Sequence, residues 1–389
     1  MKEYKLKELC SIEITDGTHK TPTYSEKGYI FLSSKNVTSG KIDWEKVMFI
    51  PKELHNELYK RISPQKDDIL LAKNGTTGVA ALVDKDEVFD IYVSLALVRP
   101  NKDLVLPKYL LYAINSSQTK RYFDSHLKGI GVPNLHLTHI RETPINVPDI
   151  AEQENIVSKF DKITELIECR QEQLKKLDEL VKSRFVEMFG DPVTNEKNWL
   201  RLTLGDICEI GSSKRVFEKD YVPSGIPFFR TKEIVELSKG NPISTELFIT
   251  EEHFAELENS YGTPKKDDLL ISAVGTIGTI WIVSGNFEFY FKDGNLIQIK
   301  ASPNFNSIFM KYLLGELIAN YKKEMSTGTA YSALTIVGLK KMLVYDVPLV
   351  LQEQFATFVE QVDKSKIEVK ESLEKLETLK KALMQEFFG

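Results

Sequence analysis

The feature that most constrains the fold of this chain is an internal repeat of about two hundred residues. Pro64-Gln65-Lys66-Asp67-Asp68-Ile69-Leu70 returns as Pro264-Lys265-Lys266-Asp267-Asp268-Leu269-Leu270. Each copy is followed at the same offset by a Gly-Thr-x-Gly turn, Gly75-Thr76-Thr77-Gly78 and Gly275-Thr276-Ile277-Gly278. A fixed period of this length marks a duplicated structural unit. The match extends to Lys108-Tyr109-Leu110-Leu111 against Lys311-Tyr312-Leu313-Leu314 and Val147-Pro148 against Val347-Pro348. It continues with Glu152-Gln153 against Glu353-Gln354 and a closing Phe189-Gly190 against Phe388-Gly389. Toward the start of each copy it loosens, pairing Leu9-Cys10 with Ile207-Cys208 and Gly28–Leu32 with Gly225–Phe229. The repeat divides the chain into a globule at 1–148, a helix at 149–190, a second globule at 191–348 and a second helix at 349–389.

At 389 residues and 42% hydrophobic content, the chain can bury two cores. No run of eighteen apolar residues occurs, and Met1-Lys2-Glu3-Tyr4-Lys5 leads into no signal-peptide core, so a soluble, cytoplasmic protein is expected. Cys10, Cys169 and Cys208 lack a CxxC spacing and are expected to be ordinary buried or interfacial thiols. Of the 51 Lys and Arg and 56 Asp and Glu, residues 149–190 hold seven and ten, and residues 349–389 hold six and eight. The two helical stretches therefore carry the whole net charge of −5, and the globules balance. A nucleic-acid surface, if present, must be a local basic patch on them.

Both helical stretches carry a heptad seam. In the first it comprises Ile156, Phe160, Ile163, Ile167, Leu174, Leu177, Val181 and Met188; in the second, Phe355, Val359, Val362, Val369, Leu373, Leu376, Leu383 and Phe387. Arg170, Arg184, Lys366 and Lys380 interrupt the seams. Asp149 with Glu152 forms a capping-box signal, and Gly190 with Pro192 a stop. More than thirty residues of helix span roughly 50 Å, too long a stripe for one helix to hide alone. Each helix can pack on its own globule or the two can pair. Pairing does not fix their direction, but duplication favours the self-complementary, antiparallel arrangement.

Within the globules, Tyr29–Leu32, Asp68–Ala72, Val79–Val83 and Val93–Val98 read as strands, as do Leu269–Ser272, Thr279–Val283 and Leu296–Ile299. Helical patterns follow at 107–123 and 308–324. The fold class is α+β, a pseudo-twofold repeat of two related domains joined by two long antiparallel coiled-coil helices. Polar loops gather at Ser34-Lys35-Asn36, at 73–77, and at Asn134, His136, Thr138 and Arg141. The second globule offers Ser212-Ser213-Lys214-Arg215, Arg230-Thr231-Lys232 and 326–332. Arg and Asn suit base edges, whereas Ser, Thr and Lys mostly hold phosphates. Turn chemistry alone also favours Asn, Ser and Gly in loops.

Catalytic motifs do not emerge. There is no GxxxxGK[ST], and Asn74–Gly78 reads as a strand-to-strand turn. Gly129-Ile130-Gly131 is too short for a dinucleotide fingerprint, and the six histidines form no HExxH; His136 and His139 read as loop residues. Asp67-Asp68 and Asp267-Asp268 read as turn and strand-entry residues because alternation along a strand separates their faces.

The order globule, helix, globule, helix, together with Gly225-Ile226-Pro227-Phe228-Phe229-Arg230-Thr231-Lys232-Glu233-Ile234, the Lys-Asp-Asp-Leu-Leu and Gly-Thr-x-Gly blocks, and Leu339-Lys340, Val347-Pro348-Leu349 and Glu353-Gln354 before a long helix, closely resembles the specificity subunit of type I restriction-modification systems. The resemblance covers essentially the whole chain. It implies two target-recognition domains, each reading half of a bipartite double-stranded DNA target, and spacer helices that set their separation and dock two methyltransferase subunits. Two restriction subunits, the motor-nucleases, would join optionally. It further implies a non-catalytic chain, with S-adenosylmethionine on the methyltransferase partner, ATP and Mg on the restriction partner, and no metal or membrane contact of its own. The implied DNA contacts are Lys35, Asn36, Lys73, Asn74, Thr76, Asn134 and His136 in the first domain. In the second they are Lys214, Arg215, Arg230, Lys232, Thr276 and Tyr331. Flipping a base for methylation would fall to the partner. Ten base pairs span about 34 Å, within reach of such helices as a ruler. From another class, a coiled-coil scaffold whose globules bind protein or glycan would share the same polar loops.

Overall fold

The computed structural model describes residues 1–38, 40–127, 133–285, 287–326 and 333–389. It comprises two compact units, one formed by Met1–Glu172 with Lys370–Gly389, the other by Gln173–Val369. Each unit contains one globule, the first half of the helix that follows it in sequence, and the last part of the other long helix. Both are α+β.

In the first unit, strand Ile69–Ala72 lies between Leu95–Val98 and Ala80–Leu82, and Thr15–Asp16 extends the sheet beyond Leu95–Val98, all antiparallel. A second sheet orders Met48–Ile50, Tyr29–Leu32 and Phe89–Ile91, the last two running parallel. The amino-terminal strand Lys2–Lys5 pairs with Pro144–Val147, the strand that leads into the central helix. The second unit repeats all three sheets, with Leu269–Ser272 between Leu296–Ile299 and Ile280–Ile282, Ile226–Phe229 between Phe248–Ile249 and Tyr290–Phe291, and Arg201–Thr203 against Leu343–Tyr345. The central strands are buried along their whole length, which is why they read as continuous apolar runs instead of alternating ones.

The repeated Asp-Asp pair opens the central strand. Asp67 and Asp267 both sit at φ 72° in a left-handed turn that Asp tolerates. Asp68 is buried and receives Arg99 through Nε and Nη2, both at 2.7 Å. Asp268 is instead bonded by Gln298 Nε2 at 2.6 Å and the Ala301 amide at 2.8 Å. The strand ends in the Gly-Thr-x-Gly turn, where Gly78 and Gly278 adopt φ 83° and 85° beneath a helix. Both left-handed conformations favour glycine, and a β-carbon would stand 3.2 Å from Phe123 at the first site and, at the second, only 2.6 Å from Ile318, which would have to shift.

Two long helices run Ile150–Phe189 and Leu349–Phe388. The Asp149 carboxylate accepts the Glu152 amide at 2.9 Å at the start of the first, and Gly190 closes it at φ 78°. The packing draws on both alternatives left open by the seam. Within the first unit, Phe160 meets Phe387 and Phe388 of the other helix while joining the globule's core, and Lys380 donates to Thr164 Oγ1 at 3.0 Å. Within the second, Phe185 and Phe189 meet Phe355, and Lys366 pairs with Asp178 at 2.8 Å. Residue numbers rise on one helix as they fall on the other, so the pairing is antiparallel in each unit. Ile156, Ile163, Val181, Val359, Val362 and Val369 are buried, and Ile167, Leu174, Leu177, Leu373, Leu376 and Leu383 are half-buried along the same stripe. Lys366 and Lys380, which interrupt the seam, reach polar partners across it and thereby select one register. Burial pushes the Lys380 ammonium below its usual range. Burial also opposes the charge on Lys366, but Asp178 and Asp363 outweigh it and raise its pKa.

The structure corrects the register of the repeat at two places. Tyr109, fully buried, packs against Phe388 with tilted rings and centroids 5.2 Å apart; the residue in that role in the second unit is Phe309, 4.8 Å from Phe189, and not Tyr312. The Lys-Tyr-Leu-Leu match is therefore three residues out of step, because the aromatic that seals the helix end sets the alignment. Likewise Gln153 is matched by Gln352, not Gln354. Gln153 accepts the Leu106 amide and donates to the Leu104 and Pro148 carbonyls, while Gln352 accepts the Asn306 amide and donates to Asn304 and Val347. Gln354 is exposed. The helical pattern at 107–123 also divides into Pro107–Ile114 and Ser117–Ser125, because Asn115 turns aside to pair with both the amide and the carbonyl of Ala80 at 2.9 Å. Gly315 offers no such side chain, and the corresponding helix runs unbroken over Ser307–Ser326. Cys10 and Cys208 are half-buried, their thiols pushed up by burial to about 12 and about 11, whereas Cys169 is exposed and so is not a buried thiol.

Removing a sealing ring from either core leaves a large cavity. Phe189→Ala is expected to destabilise the second unit and Phe388→Ala the first, each by about 3–5 kcal/mol. Hydrogen exchange resolved by segment should show lost protection confined mainly to the unit that lost its ring.

Candidate nucleic-acid interface

In the first unit several polar loops interlock at the end of the central strand. The Lys73 amide donates to the Ser94 carbonyl and the Ser34 amide to Ser94 Oγ, both at 2.9 Å. The Leu135 amide donates to the Lys73 carbonyl at 2.8 Å, and Asn74 bridges Asn134 in an isolated antiparallel pair. The Val93 amide donates to Thr18. Segments 16–19, 33–36, 73–77, 92–94 and 134–136 thus form one surface. On it Lys35, Thr76 and His136 are exposed, and Asn74 and Asn134 are half-buried with their Oδ1 atoms enclosed and unpaired.

Two expected contacts take a different part. Asn36 is buried; its Oδ1 accepts the Ser33 amide at 2.9 Å and its Nδ2 donates to the Lys46 carbonyl at 2.9 Å, so it shapes the loop that presents Lys35. Lys73 is buried too, its ammonium 2.8 Å from Asp16, whose other oxygen lies 3.2 Å from His19. A buried ammonium needs such a partner, so Lys73 ties the turn to the Asp16 strand instead of facing solvent.

The second unit builds the same surface with other side chains. Ser212 Oγ donates to the Leu296 carbonyl at 3.0 Å, Ser213 Oγ to Phe291 at 2.6 Å, and the Lys214 amide to Tyr290 Oη at 2.9 Å. The Ala273 amide donates to Asn295 at 2.8 Å, the Leu334 amide to the Ala273 carbonyl at 3.0 Å, and the Lys292 amide to Phe229 at 2.9 Å. Lys214 is exposed, with its ammonium 5.2 Å from the Tyr261 ring centre, and Thr276 is exposed. Arg215 reaches Asp293 at 3.0 Å. Arg230 is clasped by Glu233 at 2.8 Å and Glu246 at 3.0 Å, bonds that raise its pKa further, and Lys232 shares Glu246 at 3.3 Å. Its charge is met internally, so Arg230 braces the 230–233 turn. Tyr331 lies outside the described residues.

The sequence model of the family described as Type I restriction modification DNA specificity domain matches residues 1–179 and again residues 196–381. The chain belongs to this family. It is a specificity subunit with two recognition units. The putative type I restriction enzyme MjaX specificity subunit of Methanocaldococcus jannaschii is 22% identical over 98% of the chain and 91% of its own length. A putative specificity subunit of Haemophilus influenzae, S.HindORF215P, is 27% identical over 63% of this chain; the matched region spans 62% of that relative. In fold, the subunit is similar to the type I restriction-modification system S subunit from M. genitalium, with a TM-score of 0.58 at 16% identity, covering 100% of this chain and 96% of the other. A chain from structural work on complex assembly and conformational transition of the type I R-M system aligns with a TM-score of 0.60 at 19% identity, covering 100% and 97%.

Sequence reasoning missed parts of both surfaces in this specificity subunit. Asp16-Gly17-Thr18-His19 was legible as a polar turn, and a β-carbon on Gly17 would collide with the Ile91 carbonyl at 1.9 Å. Lys292-Asp293-Gly294-Asn295 carries an Asp-Gly turn signal, while Ser94 was hidden at the edge of an apolar strand.

The buried pair beneath the first surface supports a stability test. Lys73→Ala strands the Asp16 carboxylate and should cost about 3–5 kcal/mol, whereas the double change Asp16→Asn with Lys73→Met should recover most of the loss. Chemical denaturation of the two variants checks both outcomes.

Proposed function

We propose that this specificity subunit recognises a bipartite double-stranded DNA target, each unit reading one half through its interlocked loops. The observation that carries the reading is that both surfaces stand on the same hydrogen-bonded backbone yet present different side chains, as two unlike half-sites require. Lys35 and Lys214, with the exposed threonines, are suited to phosphates, and Asn74, Asn134 and His136 to base edges. The subunit itself is non-catalytic. Two methyltransferase subunits dock to it and carry out adenine-N6 methylation with S-adenosylmethionine, and two restriction subunits using ATP and Mg join when the complex cleaves. The complex works in the cytoplasm; among the described residues no helix is long and apolar enough to cross a membrane.

Two measurements on the complex of this chain with its methyltransferase test the proposal. Replacing residues 1–148 with another such domain should alter one half of the methylated motif and leave the other intact. Lys35→Ala and Lys214→Ala should each weaken binding evenly across sequences and flatten the slope of log affinity against log salt by about 1. Binding that is insensitive to salt and sequence in the wild-type complex would overturn the reading.

A further inference from the structure

Position 74 of the first unit and position 274 of the second occupy the same place on the same backbone. The residue before each is held from both sides, its amide donating to the 92–95 or 292–295 loop and its carbonyl accepting from Leu135 or Leu334. The residue after each is a glycine at φ 79° or 76°. Gly78 donates to the Ala72 carbonyl and Gly278 to Ser272, both at 2.8 Å. What differs is the chemistry presented. The first unit places Lys73, Asn74 and Asn134 there. The second places Ala273, Val274 and Ala333, an apolar set. Val274 is 44% exposed, two residues before the exposed Thr276.

We infer that Val274 is a base-reading residue of the second unit, taking the C5-methyl group of a thymine in the major groove. The inference rests on the proposed DNA-reading function of these loops. A lone exposed valine is ordinary on a protein surface. This one replaces an asparagine at a site where the first unit offers amides, and apolar side chains are the natural complement of the thymine methyl as amides are of adenine. Thr276 and Lys214 provide phosphate-binding groups on the same surface, so the duplex is held while Val274 discriminates. The alanines at 273 and 333 leave no buried polar group beside the methyl that would have to be desolvated.

The test uses the complex of the full chain with its methyltransferase, after exchange of residues 1–148 has identified which half-site belongs to the second unit. Each thymine of that half-site is replaced in turn by deoxyuridine, which lacks only the methyl. One position should weaken wild-type binding about fourfold, the effect of leaving one methyl unburied. At that position Val274→Ala should bind the thymine and deoxyuridine duplexes equally, with an unchanged melting temperature. Val274→Asn should change the methylated motif at that base pair alone. If Val274→Ala keeps the full wild-type sensitivity at every position, Val274 is not the reader and the inference falls while the DNA-reading function stands. If the wild-type complex binds no split motif, both fall together.

Discussion

Each unit depends on an aromatic ring delivered from the end of a long helix into the core of a globule. Phe388 reaches Tyr109 and Phe160 in the first unit, and Phe189 reaches Phe309 and Phe355 in the second. A globule with its own sheets thus has a core completed by residues far away in sequence. The buried glutamines reinforce the arrangement from the other side, because Gln153 and Gln352 each satisfy backbone groups of the loop that leads into the globule's helix. Sheet, loop and helix start are consequently locked to one another before any ligand is present.

That lock is what permits the loop surfaces to differ. The backbone bonds made by the amides of residues 72, 73 and 78 are repeated at 272, 273 and 278, so the same turn forms around different side chains. The two surfaces also carry charge differently. The first hides an ion pair beneath it, Asp16 with Lys73, and leaves Lys35 outside. The second uses Glu233 and Glu246 to hold Arg230 in place and leaves Lys214 outside. Part of the basic character counted from sequence, Lys73 and Arg230 among it, is therefore internal bracing.

The α+β class and the two long heptad helices were legible because continuous strand runs and heptads are local patterns that survive in one dimension; the family was legible from the resemblance of its sequence blocks, and the antiparallel direction of the helices was favoured by duplication but not fixed by it. The candidate surface was legible only in part. Lys35, Thr76, His136, Lys214 and Thr276 are exposed as their polarity suggested. Asn36, Lys73 and Arg230 have the same composition signal but are committed to loop carbonyls, to Asp16 and to Glu233, and no spacing in the sequence distinguishes the two groups.

The sequence by itself determined that the chain is a duplicated pair of globules with two heptad helices, because apolar periodicity and repeated glycine turns depend only on neighbours along the chain. Tertiary structure decided the register of the repeat and the division of labour among the polar residues. Which ring seals a core, which glutamine pins a helix start and which lysine faces solvent depend on contacts between residues far apart in the sequence. Burial, which sets whether a charge must find a partner, exists only once those contacts form.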